Sequence, residues 1–159
     1  METSSPRSIA PAKGARSMLV IDASVAFAAC ANKDGFDEFR GRSLAAPALM
    51  WSEARSTIRE RLWRDEISKD DAEATHARLE HCPVERHSPP ELGTRTWEVA
   101  TELGWAKTYD AEYVALAQIL GCQLLTVDMR LWRGTRRLGC VITPDELLAP
   151  ERPPPDNEG

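Results

Sequence analysis

The chain has 159 residues, 42% of them apolar and 28% charged, the proportions of one ordinary globular domain with a single core. No stretch approaches the ~20 apolar residues that span a bilayer. The opening "METSSPRSIAPAKGARS" has positive charge but no apolar core, so neither a membrane span nor a signal peptide is expected. The net charge of −5 is opposite in sign to that of most nucleic-acid binders.

Residues 1–17 and the ending "PERPPPDNEG" are too polar and Pro-rich to pack, so disordered tails are expected at 1–17 and 150–159, around a domain at 18–149. Within it, "MLVID" (18–22) reads as a buried strand and "ASVAFAAC" as a helix without a breaker. Asp34-Gly35 marks a turn. In "SLAAPALMWSEARSTIRERLWRDE", Pro47 suits the first turn of a helix, and Met50, Ala54, Ile58 and Leu62 form its apolar stripe. "SKDDAEATHARLEHC" reads as a helix capped by Ser68, with Asp70 and Asp71 in its first turn. "VERH" is a short strand. "SPPELGTRTWEVATELG" is a helix entered through Pro89-Pro90 and ended by Gly104. "TYDAEYVALAQILG" is a helix with Tyr113, Leu116, Ala117 and Leu120 on one face, ended by Gly121. "CQLLTV" is a buried strand and "MRLWRGTRRLG" a short basic helix or loop. "CVIT" is a last strand, followed by the short helix "PDELL".

Strands alternating with helices predict an α/β fold, a three-layer α/β/α domain around a mostly parallel sheet. Ligands of such sheets gather at the carboxyl ends of the strands. Cys30, Cys82, Cys122 and Cys140 form no C-x-x-C pair, so reduced thiols in a cytoplasmic protein are expected. His76 and His81 are five apart, on different sides of a helix, which argues against zinc.

Four acids stand out by position. Asp22 and Asp128 close apolar runs. Glu53 and Asp110 lie near the starts of helices. Singly, each has an ordinary explanation as a helix cap, a dipole partner or a solvated acid. Together, two strand-end and two helix-start acids would converge at one sheet edge. Carboxylates so close repel and cannot all stay ionised without a cation. That points to Mg²⁺ or Mn²⁺, which take oxygen ligands.

The ordered set "VIDASV", "PALMWSEARSTI", "TYDAEYVALA" and "LLTVD" resembles the PIN domain, in particular the ribonuclease toxins of bacterial VapBC toxin–antitoxin pairs. The resemblance covers about residues 18–148, and "TYDAEYVALA" is its strongest member. It implies that Asp22, Glu53, Asp110 and Asp128 are the family's acidic quartet, catalytic and metal-binding. Ser24 matches a small hydroxyl residue that follows the first Asp, and Thr126 a polar residue before the last. Both are expected to support the acids rather than bind the ion. Where many relatives continue with Glu, this chain has Gln118, which is expected to alter surface or dimer contacts. The resemblance further implies an Mg²⁺- or Mn²⁺-dependent endoribonuclease leaving a 5′-phosphate and a 3′-hydroxyl. It would form a homodimer and be blocked by a cognate antitoxin.

Two clusters of arginine lie near these acids: Arg55, Arg59, Arg61 and Arg64 on one helix, and Arg130, Arg133, Arg136 and Arg137 after Asp128. The first set is equally well explained as a solvated face paired with Glu60, Asp65 and Glu66. The second is the better candidate for RNA phosphates, through Arg130, Arg133 and Arg136. Trp132, among these arginines, is a candidate for stacking on an unpaired base. Two alternatives compete with a nuclease. A phosphatase would need a second Asp where Ser24 stands. A catalytically silent PIN-like module would bind RNA or protein without cutting.

Overall fold

The computed structural model describes residues 17–149. The expected tails therefore lie outside the described residues, apart from Ser17. The chain runs β1 (Met18–Ile21), α1 (Ala23–Cys30), β2 (Ser43–Ala46), α2 (Leu49–Trp63), α3 (Lys69–Glu80) and β3 (Val84–Arg86). It continues α4 (Leu92–Leu103), α5 (Tyr109–Leu120), β4 (Gln123–Leu125), α6 (Met129–Thr135), β5 (Val141–Ile142) and α7 (Pro144–Leu148). The sheet has five strands in the order β3-β2-β1-β4-β5, and every pairing is parallel.

This order dictates the layers. The path moves outward from β1 through β2 to β3, then returns to pair β4 on the other side of β1. Right-handed crossovers then place α1, α2 and α3 on one face and α4, α5 and α6 on the other. The helix packing agrees: α1, α2 and α3 pack together, while α4 packs on α5, and α5 lies against β1 and β4. Because the chain reverses between β1 and β4, a crevice opens at their carboxyl ends.

The helix punctuation follows the residues. Ser68 caps α3 by accepting from the Asp71 amide. Gly104 and Gly121 end α4 and α5 with φ of 68° and 64°, a left-handed conformation that glycine adopts without a Cβ penalty. Thr143 and Glu146 form a reciprocal capping box on α7. The stripe of α2 is buried at Met50, Ala54 and Ile58, with Leu62 partly covered. Mid-helix α5 is buried over consecutive residues from Tyr113 to Ala117, because β1 and β4 cover one side and α4 another.

One strand departs from the sequence expectation. Ser43–Ala46 forms β2, between β1 and β3, where the sequence suggests only an approach to the Pro47 helix. Pro47 itself lies just before α2, whose helical residues begin at Leu49. The C-terminal end of β4 is also earlier than expected. The strand stops at Leu125, so Asp128 stands three residues beyond it, on the turn into α6. Gln118 accepts from Arg95 Nε at 2.8 Å, so its amide ties α5 to α4 within the chain.

Candidate active site

The register of the sheet sets the centre of the site. Ile21 pairs with Leu125, so the next residues, Asp22 and Thr126, leave the sheet side by side. The Thr126 hydroxyl donates to Asp22 Oδ2 and accepts from the Asp128 amide at 3.0 Å. Asp22 Oδ1 accepts the Ser24 hydroxyl at 2.6 Å and the Val25 amide at 3.1 Å. Ser24 Oγ also accepts from the Val127 amide at 3.3 Å. Ser24 and Thr126 thus hold Asp22 and the Asp128 turn in fixed relation, Thr126 from a fully buried position.

The ordinary and the functional explanations of two acids turn out to be compatible. Asp22 caps α1, and Asp128 caps α6 by accepting from the Arg130 and Leu131 amides. Capping pins each carboxylate at the carboxyl edge, where both line one open pocket of about 660 Å³. Glu53 and Asp110 line it too. They arrive there because α2 leaves the carboxyl end of β2, and α5 runs antiparallel to β4, so both helices start at that edge. Asp110 does not cap its helix. It lies in the first turn of α5, after the Thr108 cap position.

Glu53 is not a solvated helix acid. The Tyr113 hydroxyl donates to its Oε1 at 2.6 Å. Sequence periodicity identifies Tyr113 only as a core residue. It is 1% exposed, yet its hydroxyl reaches the site. The usable signal was its position one turn after Asp110 on the same helix.

The electrostatics follow from burial and crowding. Asp22 is 5% exposed. Burial pushes its carboxyl above the ordinary value, with a further push from Asp128, against the pull of the Ser24, Thr126 and Val25 hydrogen bonds. Burial also raises Glu53, and Asp110 and Asp22 add to the rise against the Tyr113 hydrogen bond. Asp110 is raised by burial and by Asp128, and eased by Arg130. The donors are all oxygens, the set that suits a hard divalent cation. Among the described residues, no three His, Cys, Asp or Glu side chains stand together as a ready-made ion cage. The residues therefore fit an ion gripped by one or two carboxylates with water completing the shell, the habit of Mg²⁺.

The arginines divide as the charge pattern suggests. Arg55 pairs with Glu80 at 2.6 Å, Arg64 with Glu60 at 3.7 Å and Arg61 with Glu66 at 3.6 Å. Arg130 lines the pocket and lies 3.3 Å from Asp128 Oδ2, and Arg133 is exposed. Arg136 covers the Trp132 ring, 4.7 Å from its centroid. The Trp132 indole also donates to Glu146 Oε2 at 3.1 Å. Trp132 is thus a clamp between α6 and α7 with one face of its ring covered by Arg136.

Replacing Thr126 by Val keeps the shape and removes both hydrogen bonds. Thr126→Val is expected to destabilise the domain by about 1–3 kcal/mol in urea unfolding, because a buried carboxylate and an amide lose their partner. Thr126→Ser should stay close to wild type.

Fold and site together define an α/β/α domain with a four-carboxylate pocket at the switch point of its parallel sheet. The sequence pattern of the PIN domain matches residues 19–136, and the chain belongs to the PIN domain family. It is 35% identical over 127 residues to VapC ribonuclease Mb0985 of Mycobacterium bovis, covering 79% of this chain and 97% of that relative. The same figures hold for ribonuclease VapC9 of Mycobacterium tuberculosis: 35% over 127 residues, 79% and 97%. Among solved structures, PAE2754 from Pyrobaculum aerophilum superposes with a TM-score of 0.64 at 25% identity, over 85% of this chain and 95% of that one. VapBC2 from Rickettsia felis, bound to a DNA fragment from their promoter, superposes with a TM-score of 0.56 over 79% and 96%. Its 12% identity bears on the fold alone.

Proposed function

We propose that this chain is a divalent-metal-dependent endoribonuclease, the toxin of a VapBC-type toxin–antitoxin pair. The observation that carries this reading is the meeting of four carboxylates, from four separate elements, around one open pocket. They do so in a chain 35% identical to named ribonucleases over nearly their whole length.

Asp22, Asp110 and Asp128 would hold Mg²⁺ or Mn²⁺, one or two of them directly and the rest through water, with Glu53 completing the set. Bound there, the ion supplies a water of lowered pKa and neutralises charge on the phosphodiester. Glu53, kept in place by Tyr113, is positioned to accept a proton from the attacking water. Ser24 and Thr126 keep Asp22 fixed while the charge in the pocket changes. Arg130, at the rim, offers the first cation to an arriving phosphate, and Arg133 and Arg136 extend that basic surface. Local arginines thus reconcile an acidic chain with a polyanionic substrate.

The double variant Arg133→Ala, Arg136→Ala should weaken RNA binding. It should also lower the slope of log K against log salt, by roughly 0.7 for each phosphate that is no longer neutralised. An unchanged slope would remove these two residues from the RNA surface.

The reading implies an antitoxin and a second copy of this chain as partners. Trp63 on α2 and Trp97 on α4, 80% and 70% exposed, are apolar surface suited to such contacts. A cytoplasmic location accords with four free cysteines, and no helix among the described residues is long and apolar enough to cross a membrane. The competing reading is a module that binds RNA or protein without cutting. One experiment separates them. The purified chain is incubated with total bacterial RNA in Mn²⁺, Mg²⁺ or EDTA, beside Asp110→Ala prepared identically. Metal-dependent cuts that vanish in the variant support the nuclease, and their mapped ends name the site. Ion binding without cleavage favours the module.

A further inference from the structure

The pocket is longer than four carboxylates require. From the acids it extends along the gap between α1 and α2, past Ser24, Ser52 and Ser56, to Phe27 and Arg61. Phe27 follows Asp22 by five residues, about 7 Å along α1, and Arg61 follows Glu53 by eight, about 12 Å along α2. The small side chains between leave open space, and Phe27 is only partly buried. The other aromatic in the lining, Tyr113, is 1% exposed and committed to Glu53. The Arg61 guanidinium lies over the Phe27 ring, 4.7 Å from its centroid. The cationic side chains in the lining are Arg61 and Arg130, one from α2 and one from α6. A polyanionic strand held by both would cross the acids between them.

We propose that the Phe27–Arg61 pair is the platform on which an unpaired nucleobase of RNA stacks, beside the nucleotide at the carboxylates. The inference rests on the ribonuclease reading and deepens it. An aromatic ring and a guanidinium plane are the two surfaces on which proteins stack splayed-out bases. Here they already stack on each other. A base can lie on the outer face of the guanidinium, or take its place on the ring while Arg61 falls back on Glu66, 3.6 Å away. Either way an unpaired base is the favoured ligand, because a paired one must first give up its pairing and stacking. Stacking tolerates every base, so the platform selects strand character and flank position rather than one letter.

The test uses the full chain carrying Asp110→Asn, so that RNA is bound without being cut. The probe is a short fluorescein-labelled single-stranded RNA spanning the mapped cleavage site. A matched set makes one flanking nucleotide at a time abasic, and anisotropy reads affinity. One abasic position should weaken binding about ten-fold. Phe27→Ala should weaken binding of the intact RNA by a similar factor, and the two losses should not add. Phe27→Leu keeps apolar volume and the thermal midpoint, and should still lose most of the affinity. Equal affinity for every abasic probe, full affinity in Phe27→Leu, or additive losses would overturn the platform. In those cases a wild type that still cuts RNA leaves the ribonuclease reading standing. A wild type that neither binds nor cuts RNA overturns both.

Discussion

Asp22→Asn is expected to lower metal-dependent RNA cleavage by on the order of 10³-fold while leaving the fold intact. The side chain is nearly isosteric, and its oxygen can still accept from Ser24 and the Val25 amide, as Oδ1 does now. The opposing position becomes an NH₂ where an acceptor stood. The Thr126 hydroxyl can turn to accept from it, because a hydroxyl has two lone pairs and a free rotor. What is lost is one negative charge, the one most deeply placed in the pocket. If that charge grips the ion, cleavage falls with it. If Asp22 serves only to cap α1, Asn is an equally good cap and cleavage should stay within a few-fold of wild type. Cleavage rates at saturating Mn²⁺, with circular dichroism as a check on folding, separate the two.

The second large effect is on stability. With metal removed, the domain should become more stable as pH falls from neutral, and Mn²⁺ should reverse that trend. Asp22, Glu53 and Asp110 are all raised above their ordinary values by burial. The folded state therefore binds protons that the unfolded chain has already released. Their destabilising contribution is absent below the ordinary carboxylate pKa. It grows as pH rises above that and is complete once pH exceeds the raised folded values. Glu80, lowered by Arg55, works in the opposite direction but lies outside the pocket and is indifferent to the ion. At neutral pH, Mn²⁺ at about a hundred times its Kd should add about 2.7 kcal/mol. That corresponds to a rise in Tm of roughly 5–10 °C. Near pH 5 the rise should shrink, because protons compete for the same oxygens. In Asp22→Asn, both the acid-side gain and the Mn²⁺ shift should be smaller. A wild-type Tm indifferent to Mn²⁺ at every pH would argue against an ion in this pocket.

How much was legible depended on how local the cause was. Ser68, Gly104 and Gly121 act within one helical turn, so the bounds of α3, α4 and α5 follow from residue type. β2 was illegible for a physical reason. Leu44, Ala45 and Ala46 are all buried, so the strand has no alternation to detect. Two alanines carry little β propensity, and the strong periodicity of α2 starts four residues later. That Trp132 ties α6 to α7 was equally illegible, because position among arginines says nothing about Glu146 reaching its indole. Phe27 gave no signal at all. An aromatic three residues after Ser24 is ordinary helix composition until α2 brings Arg61 over it.

The sequence by itself determined the α/β class, the helix ends, and four acids that come to line one pocket. Those depend on residue type, spacing and the burial of apolar runs, which act along the chain. Only the tertiary structure decided that the sheet is wholly parallel with β2 beside β1, and that Thr126 rather than Asp128 leaves the sheet next to Asp22. It alone decided that Tyr113 serves Glu53, and that the pocket runs on to Phe27 and Arg61. Each of these is a meeting of residues far apart in sequence. Strand register and helix packing set such meetings, and no local pattern encodes them.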